Sequence, residues 1–128
     1  MPIIRVSALP QPPHVDTTRV LKTLCVKVAE TLDAPVDTVW GTWQTISPGL
    51  YVEGENPSKT QPVSTHPPIA EFIAFEGRSS ELIEKVLHTI ADVLAEELRM
   101  ERGNAFIIYT EAKSGQVYTG GAVRRRTS

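Results

Sequence analysis

Residues 68–79, Pro-Ile-Ala-Glu-Phe-Ile-Ala-Phe-Glu-Gly-Arg-Ser, combine a strand, a turn and the start of a helix. The apolar residues of this stretch form a run of strand length that begins after Pro68, which predicts a largely buried strand. Ser79 is a favoured helix N-cap, and the acidic Glu81 follows in the first turn. The segment therefore predicts a β-strand that leads directly into an α-helix.

The same pattern occurs earlier in the chain, because a shift of 66 positions places Pro2 on Pro68 and Ile3 on Ile69. The register continues without a gap through the helices and into the later glycines. Chance seldom keeps one register over that length, so the chain is predicted to be a fused duplication. Further identical pairs are Ala8 and Ala74, Val20 and Val86, Leu21 and Leu87, Thr23 and Thr89, Ala29 and Ala95, Glu30 and Glu96, Leu32 and Leu98, Gly49 and Gly115, and Gly54 and Gly120.

Each half is predicted to contain a strand, a helix and a second strand. Apolar residues recur at spacings of three and four over residues 20–32 and again in the second half, which gives each helix one apolar stripe. Asp16 or Thr17 is the predicted N-cap of the first helix. Residues 39–46 and 105–110 are predicted as the second strand of each unit.

The fold class that follows is α/β (α+β), with two tandem β-α-β units. The two strands of such a unit lie parallel and its helix crosses one face of the sheet. Two units can form one four-stranded sheet with both helices on one side, which leaves an apolar face that an oligomer would cover. We expect a single domain of unit one (about 2–54), a linker (about 55–67), unit two (about 68–121) and a basic tail (122–128).

The bulk composition limits the function classes. A chain of 128 residues with net charge -2 and pI near 5.9 is not expected to bind nucleic acid, so Arg124–Arg126 is expected to be a solvated tail. We expect a cytoplasmic protein without membrane partners, because the sequence has no signal peptide and no apolar run of spanning length.

Cys25 is expected to be a buried, inert thiol. The spacing of His14, His66 and His88 does not favour a metal site.

Pro2 is the one proline whose nitrogen can become a base. If aminopeptidase removes Met1, the ring nitrogen of Pro2 becomes a secondary amine at the start of a strand. Every other proline nitrogen in the chain is part of an amide and is not basic. A proton next to a carbonyl is removed best by a base whose pKa lies near the working pH, and an α-amino group titrates in that range.

The second half closely resembles the 4-oxalocrotonate tautomerase family, and the first half is similar but more divergent. Several ordered matches at matching spacings are more specific than any one alone. The resemblance covers nearly the whole chain and indicates a fused member of the tautomerase superfamily, in the size class of the cis-3-chloroacrylic acid dehalogenase-like proteins. The matching segments are Pro68-Ile69-Ala70, Glu76-Gly77-Arg78-Ser79, residues 107–111 and Gly120-Gly121 in the second half, and Pro2-Ile3 and Leu32-Asp33-Ala34-Pro35 in the first.

The resemblance implies a homotrimer whose sheets form a central barrel, and a site that needs neither cofactor nor metal. It also implies that the amino-terminal proline is the catalytic group and that an arginine binds a substrate carboxylate. Pro2 and Arg78 are the matching residues. Burial and a nearby cation would both lower the pKa of the Pro2 amine. Arg78 would grip the carboxylate bidentately and stabilise charge that develops on an enolate.

The chain also departs from the family pattern. Trp40 and Phe106 stand where the tautomerases carry a second arginine. Phe75 stands where the dehalogenases carry a further arginine. Their water-activating tyrosine and glutamate align approximately with Ile108 and Tyr118, so this chain has no aligned carboxylate for hydration or hydrolytic dehalogenation.

Four aromatic residues are candidates for the substrate-binding wall. They are Trp40, Phe106, Tyr109 and Tyr118, and either tyrosine would be able to donate a hydrogen bond to a substrate carbonyl in place of the missing arginine. Arg5, on the first strand, is a further candidate cation.

The sequence thus favours a keto-enol tautomerase that acts on a small 2-keto or 2-hydroxydienoate carboxylic acid, with Pro2 as base and then acid. One alternative is a hydratase, dehalogenase or decarboxylase of a 3-carbon acid that uses protonated Pro2. A second alternative is a non-catalytic trimeric binding protein of the same fold.

Overall fold

The computed structural model describes residues 1–127. Each predicted unit contains its two strands and one long helix, followed by a short hairpin. The elements of the first unit are β1 (Ile3–Ala8), α1 (Thr17–Leu32), a 3-10 turn (Val36–Thr38), β2 (Trp40–Thr45), β3 (Val52–Glu53) and β4 (Asn56–Pro57). Those of the second are β5 (Ile69–Phe75), α2 (Ser80–Leu98), β6 (Phe106–Ala112), β7 (Val117–Thr119) and β8 (Ala122–Arg124).

The main sheet has the strand order β2-β1-β5-β6. Strands within a unit are parallel, as a helical crossover requires, and the two units meet through the antiparallel pair β1 and β5. In that pair Ile3 lies opposite Ile73 and Ser7 lies opposite Ile69. The prediction of two tandem β-α-β units in one four-stranded sheet is confirmed.

Both helices begin at the predicted caps. The Asp16 carboxylate accepts hydrogen bonds from the N–H groups of Thr18 and Arg19, and the Ser79 hydroxyl accepts one from Leu82. Helix α1 ends where Asp33 turns left-handed, at φ 52°, two residues before Pro35.

Helix α2 ends before the Arg-Gly-Asn sequence at 102–104. Its last residue is Leu98, because Arg99 adopts the left-handed conformation at φ 54° and its N–H bonds back to Ala95. A residue in that conformation closes a helix even when it is not glycine.

The core lies between the sheet and both helices, so the helices share one face as predicted. Fully buried residues come from every layer, including Ile4 of β1, Leu24 of α1, Phe72 of β5 and Ile90 of α2. The helices also pack on each other, and the hydroxyls of Thr31 and Thr89 lie 3.0 Å apart between them. Burial on this side fixes which residue of each strand faces inward.

The opposite face of the sheet, called the outer face below, is apolar and exposed. Trp40, Ile69, Phe106 and Ile108 alternate with the core residues of their strands and are each more than two-fifths exposed. An apolar surface of this extent on a small chain marks an interaction surface. The outer face is therefore the surface that an assembly would bury.

The N-cap of α1 gives a stability test. We expect Asp16→Ala to lower the free energy of unfolding by about 1 kcal/mol, because two N–H groups lose their acceptor. Asp16→Asn keeps an acceptor and should stay within about 0.5 kcal/mol of the parent. Urea unfolding at a fixed protomer concentration measures both values, and equal stability of the alanine variant would contradict the capping role.

Candidate active site

The start of the chain lies at the end of β5, where α2 begins. This follows from the antiparallel pairing of β1 with β5, which puts Ile3 opposite Ile73 near the C-terminal end of that strand. Pro2 is buried, and its carbonyl accepts a hydrogen bond of 2.9 Å from the N–H of Trp40. This bond holds the backbone of Pro2 against β2, and the pairing of Ile3 with Ile73 holds the next residue against β5.

The free amine in this structure belongs to Met1, and it donates a hydrogen bond of 2.7 Å to the carbonyl of Thr38. Partial burial lowers the pKa of this amine, and the guanidinium groups of Arg124 and Arg78 lower it further. Removal of Met1 would move the amine one residue inward, about 3.8 Å. It would then belong to Pro2, which is buried, near the same two cations.

Arg78 is positioned by the turn between β5 and α2. Gly77 adopts φ 114°, a conformation that side chains disfavour, and this lets the chain change direction between strand and helix. The guanidinium of Arg78 donates to the carbonyl of Phe75 over 3.2 Å and is half-buried. The predicted pair of Pro2 and Arg78 is thus placed at the same end of the sheet.

Tyr109 lies beside Arg78 on the core side of β6. Its ring packs on Phe72 with centroids 5.2 Å apart. Its buried hydroxyl has no aligned hydrogen-bond partner among residues 1–127. Burial raises the pKa of this phenol, while the charge of Arg78 acts in the opposite direction. Arg78 is therefore close enough to the Tyr109 hydroxyl to affect its pKa, although the two groups do not form an aligned hydrogen bond.

The other three candidate aromatics are placed differently. Trp40 is bonded to Pro2 through its backbone, but its ring belongs to the outer face. Phe106 starts β6 opposite Ile69, at the far end of the sheet from Pro2, so it can line that site only from another copy of the chain. Tyr118 is 73% exposed in the hairpin of β7 and β8.

The C-terminal arginines are the site residues that sequence reasoning missed. Residues 122–127 are exposed as expected for a tail, but Ala122–Arg124 forms β8, which pairs with β7 across the Gly120-Gly121 turn. The guanidinium of Arg124 lies over the ring of Phe75, 4.6 Å from its centroid. The signal for this hairpin was present in two short polar and apolar stretches that flank a Gly-Gly pair.

An open depression of about 440 Å³ lies at the turn between β5 and α2, and within residues 1–127 its lining does not include Pro2 or Tyr109. Its lining consists of Phe75, Glu76, Gly77, Arg78 and residues 124–127. Four guanidinium groups and one carboxylate give this surface a strong positive charge. It fits an anionic small molecule better than a neutral one.

Three other candidate features lie outside this site. Arg5 is on the outer face, where it pairs with Glu71 at 3.8 Å, so it does not reach the depression from its own chain. Burial raises the pKa of the Cys25 thiol on α1, which disfavours the reactive thiolate. Across residues 1–127, no group of His, Cys, Asp and Glu is arranged to hold a metal, and no helix is long and apolar enough to cross a membrane.

Solved structures with the same fold are tautomerase-superfamily proteins. A wild-type fused 4-OT, described as an asymmetric trimer, superposes with TM-score 0.80 at 18% identity over 95% of both chains. A member of the cis-3-chloroacrylic acid dehalogenase family superposes with TM-score 0.73 at 15% identity, over 95% of this chain and 82% of the other. A macrophage migration inhibitory factor-like protein from Entamoeba histolytica superposes with TM-score 0.71 at 12% identity, over 95% of this chain and 97% of the other.

The chain therefore has the tautomerase-superfamily fold, in the form in which two β-α-β units are fused. No protein-family model and no curated sequence matches it.

The electrostatics of the site predict that the pKa of the terminal amine changes when a nearby arginine is replaced. Because Arg124 and Arg78 lower its pKa, we expect Arg124→Gln and Arg78→Gln each to raise that pKa, with the larger rise for Arg124→Gln. Nitrogen-15 NMR titration of the amine measures the value directly. Lys22→Gln, on α1, removes an equal charge and should leave the pKa of the amine unchanged. An unchanged pKa in both arginine variants would show that these cations do not act on the amine.

Proposed function

We propose that this protein is a cofactor-independent keto-enol tautomerase for a small 2-keto or 2-hydroxydienoate carboxylic acid. The observation that carries the proposal is the position of the chain start at the C-terminal end of β5, where partial burial and the charges of Arg124 and Arg78 lower the pKa of the Met1 amine. A base with a lowered pKa next to a carboxylate-binding cation is the arrangement that proton transfer α to a carbonyl needs.

The reaction moves one proton and leaves the enzyme unchanged. The unprotonated amine of Pro2 takes the proton from the 2-hydroxyl of the substrate, the double bonds shift, and a ketone forms at C2. Protonated Pro2 then delivers that proton to the chain carbon that has gained electron density. Atoms and charge balance without a metal, a redox partner or water.

Arg78 and Tyr109 supply the electrostatic part of this proposal. Arg78 binds the C1 carboxylate, and its fixed hydrogen bond to the Phe75 carbonyl orients the guanidinium. Tyr109 donates its hydroxyl hydrogen to the oxygen at C2, where negative charge develops. Its buried, unpartnered hydroxyl and raised pKa support the role of donor.

We infer that the working form is a homotrimer in the cytoplasm, whose partner is a small carboxylate substrate rather than nucleic acid or a membrane. The exposed apolar outer face and the trimeric fused 4-OT neighbours support the assembly. The cytoplasmic location stays a prediction from the sequence.

The alternatives from the sequence remain distinguishable. Hydration or dehalogenation would need a group to activate water, and the approximately aligned positions hold Ile108 and Tyr118, both exposed in this chain. A retained Met1 would make the Pro2 nitrogen an amide and would favour the non-catalytic binding protein. Intact-protein mass spectrometry of the purified chain separates processed from unprocessed protein.

The decisive test is the enol-to-keto rate of phenylenolpyruvate and 2-hydroxymuconate, with Pro2→Ala beside the parent. General acid–base catalysis contributes about 10²–10⁴-fold, so the variant should lose at least about a hundredfold in kcat/KM. We expect the cations that lower the pKa of the Met1 amine to act on the Pro2 amine as well, so kcat/KM of the parent should rise with pH below the ordinary titration of a proline amine.

Pro68→Ala is the matched control, because Pro68 is the repeat counterpart of Pro2 but has only an amide nitrogen. It should keep at least about half of the parent rate, since amide nitrogens are not bases. A parent rate equal to the solvent reaction, or equal rates in the parent and Pro2→Ala, would reject the tautomerase proposal.

The trimer has its own test on the outer face. Ile108→Lys puts a charge into the expected interface, where burial without a partner is costly. We expect it to reduce the mass in solution from about 42 kDa, three times 14.1 kDa, to the monomer value. Val26→Lys changes an equally exposed residue on α1 and should stay trimeric. Multi-angle light scattering measures both, and a trimeric Ile108→Lys would place the interface elsewhere.

A further inference from the structure

We propose that an ion pair on the outer face, Arg5 with Glu71, makes all three copies of the trimer face the same way round its axis. The inference rests on the proposed assembly and goes beyond it, because it names the residues that orient each copy. The partner that this surface fits is a second copy of the same chain. The carrying observation is that the internal repeat exchanges the two charges of the pair.

Arg5 and Glu71 lie at the symmetry axis of the duplicated chain. They are register partners across the β1 and β5 pair, and the 66-residue shift also places Arg5 on Glu71. A residue that pairs with its own repeat counterpart lies at the local twofold axis that relates the two units. A half-turn about that axis therefore puts a carboxylate where the guanidinium was, and a guanidinium where the carboxylate was.

The rest of the outer face carries no charge that this half-turn would move. Over residues 1–127, Arg5 and Glu71 are the charged residues among those that the four strands of the main sheet direct to this face. Charge is therefore the property that most clearly distinguishes the two orientations of a copy. The uncharged residues that the repeat exchanges are Ile3 and Ile69, Trp40 and Phe106, Thr42 and Ile108, Ser7 and Ile73, and Gln44 and Thr110.

The pair forms within one chain and remains accessible to a partner. Nη1 of Arg5 lies 3.8 Å from Oε1 of Glu71, and the other carboxylate oxygen accepts a hydrogen bond of 3.4 Å from the Thr110 hydroxyl. The side chains of Arg5 and Glu71 are 60% and 38% exposed. An exposed pair contributes little to the stability of a single chain. Burial in an assembly removes the water that screens the pair, so the charges of the neighbouring copies then matter.

Three copies around one axis give two possible orders of these charges. Each copy adds its strands in the order β2-β1-β5-β6. When all copies face the same way, as in a closed ring of identical contacts, Arg5 and Glu71 alternate round the axis. A reversed copy makes two carboxylates successive at one of its borders and two guanidinium groups successive at the other. Like charges placed together in an interface are costly, so the pair disfavours the reversed copy.

The orientation also decides the neighbours of each candidate active site. With all copies the same way round, the β2 edge of one copy meets the β6 edge of the next, so the three Pro2 sites are equivalent. A reversed copy brings two β2 edges together at one border and two β6 edges together at the other, and the three sites then differ. Residues of β2 have different surroundings in the two arrangements.

Fluorine-19 NMR of protein labelled with 5-fluorotryptophan counts these surroundings directly. The chain has two tryptophans, Trp40 and Trp43, and both are on β2. We expect one signal from each in the parent trimer, whereas a trimer with a reversed copy gives up to three signals for each. Light scattering of the same sample measures the mass, expected to be about 42 kDa, three times 14.1 kDa. A parent trimer with additional signals would overturn the proposal.

Arg5→Gln with Glu71→Gln isolates the pair, because it makes the two axial positions identical without changing the net charge. We expect additional signals at the parent mass, since the charges no longer oppose a reversed copy. Lys27→Gln with Glu30→Gln is the matched control. It removes an ion pair of the same 3.8 Å separation from the surface of α1 and should keep one signal for each tryptophan. An unchanged signal count in the Arg5 and Glu71 variant, or loss of its trimer, would contradict the orienting role.

The exchange of both charges, Arg5→Glu with Glu71→Arg, keeps their alternation and should give the parent mass with one signal for each tryptophan. Additional signals in this variant would also reject the proposal. A parent trimer with the expected signals but no enol-to-keto turnover would reject the tautomerase and leave the orientation standing. A monomeric parent would overturn the orientation whatever its turnover. Circular dichroism of each variant verifies the fold.

Discussion

The antiparallel pairing of β1 with β5 is the constraint on which the rest of the structure depends. It joins two β-α-β units into one sheet and lets both helices cover the same face, so that residues such as Ile4 and Phe72 are fully buried. The same pairing lays the first residue of the chain beside the last residues of β5. Without it, Pro2 would have no fixed relation to Arg78, and a terminal amine would be an ordinary solvated group.

Phe75 is the second organising element. The family resemblance places an arginine there in the dehalogenases, and a phenylalanine at first looks like the loss of a cation. In the structure its carbonyl orients Arg78 and its ring supports Arg124. A cation therefore lies next to this position in space although the position itself holds phenylalanine, because a hairpin anchored through Ser114 returns to the same turn.

The duplication produced two similar folds but only one candidate site. Trp40 and Phe106 make equivalent backbone hydrogen bonds to the carbonyls of Pro2 and Pro68, so the local geometry of the two units has been kept. The chemistry has not been kept, because fusion converts the nitrogen of Pro68 to an amide. Fold and function separate here for a physical reason: β-sheet hydrogen bonding needs only the backbone, whereas base catalysis needs a free amine.

The sequence by itself determined the two units, their helices and caps, and the likeness of Arg78 to a family arginine. Amphipathic periodicity and capping involve residues a few positions apart, and an internal repeat appears at one fixed shift of the sequence. All three can be recognised without knowing which segments pack together. Only the tertiary structure decided that Phe106 lies far from Pro2, that the Tyr109 hydroxyl is buried beside Arg78, and that Arg124 belongs to the site. Those facts depend on which strands pair and where a hairpin docks, and such long-range contacts leave no periodic trace in a single sequence.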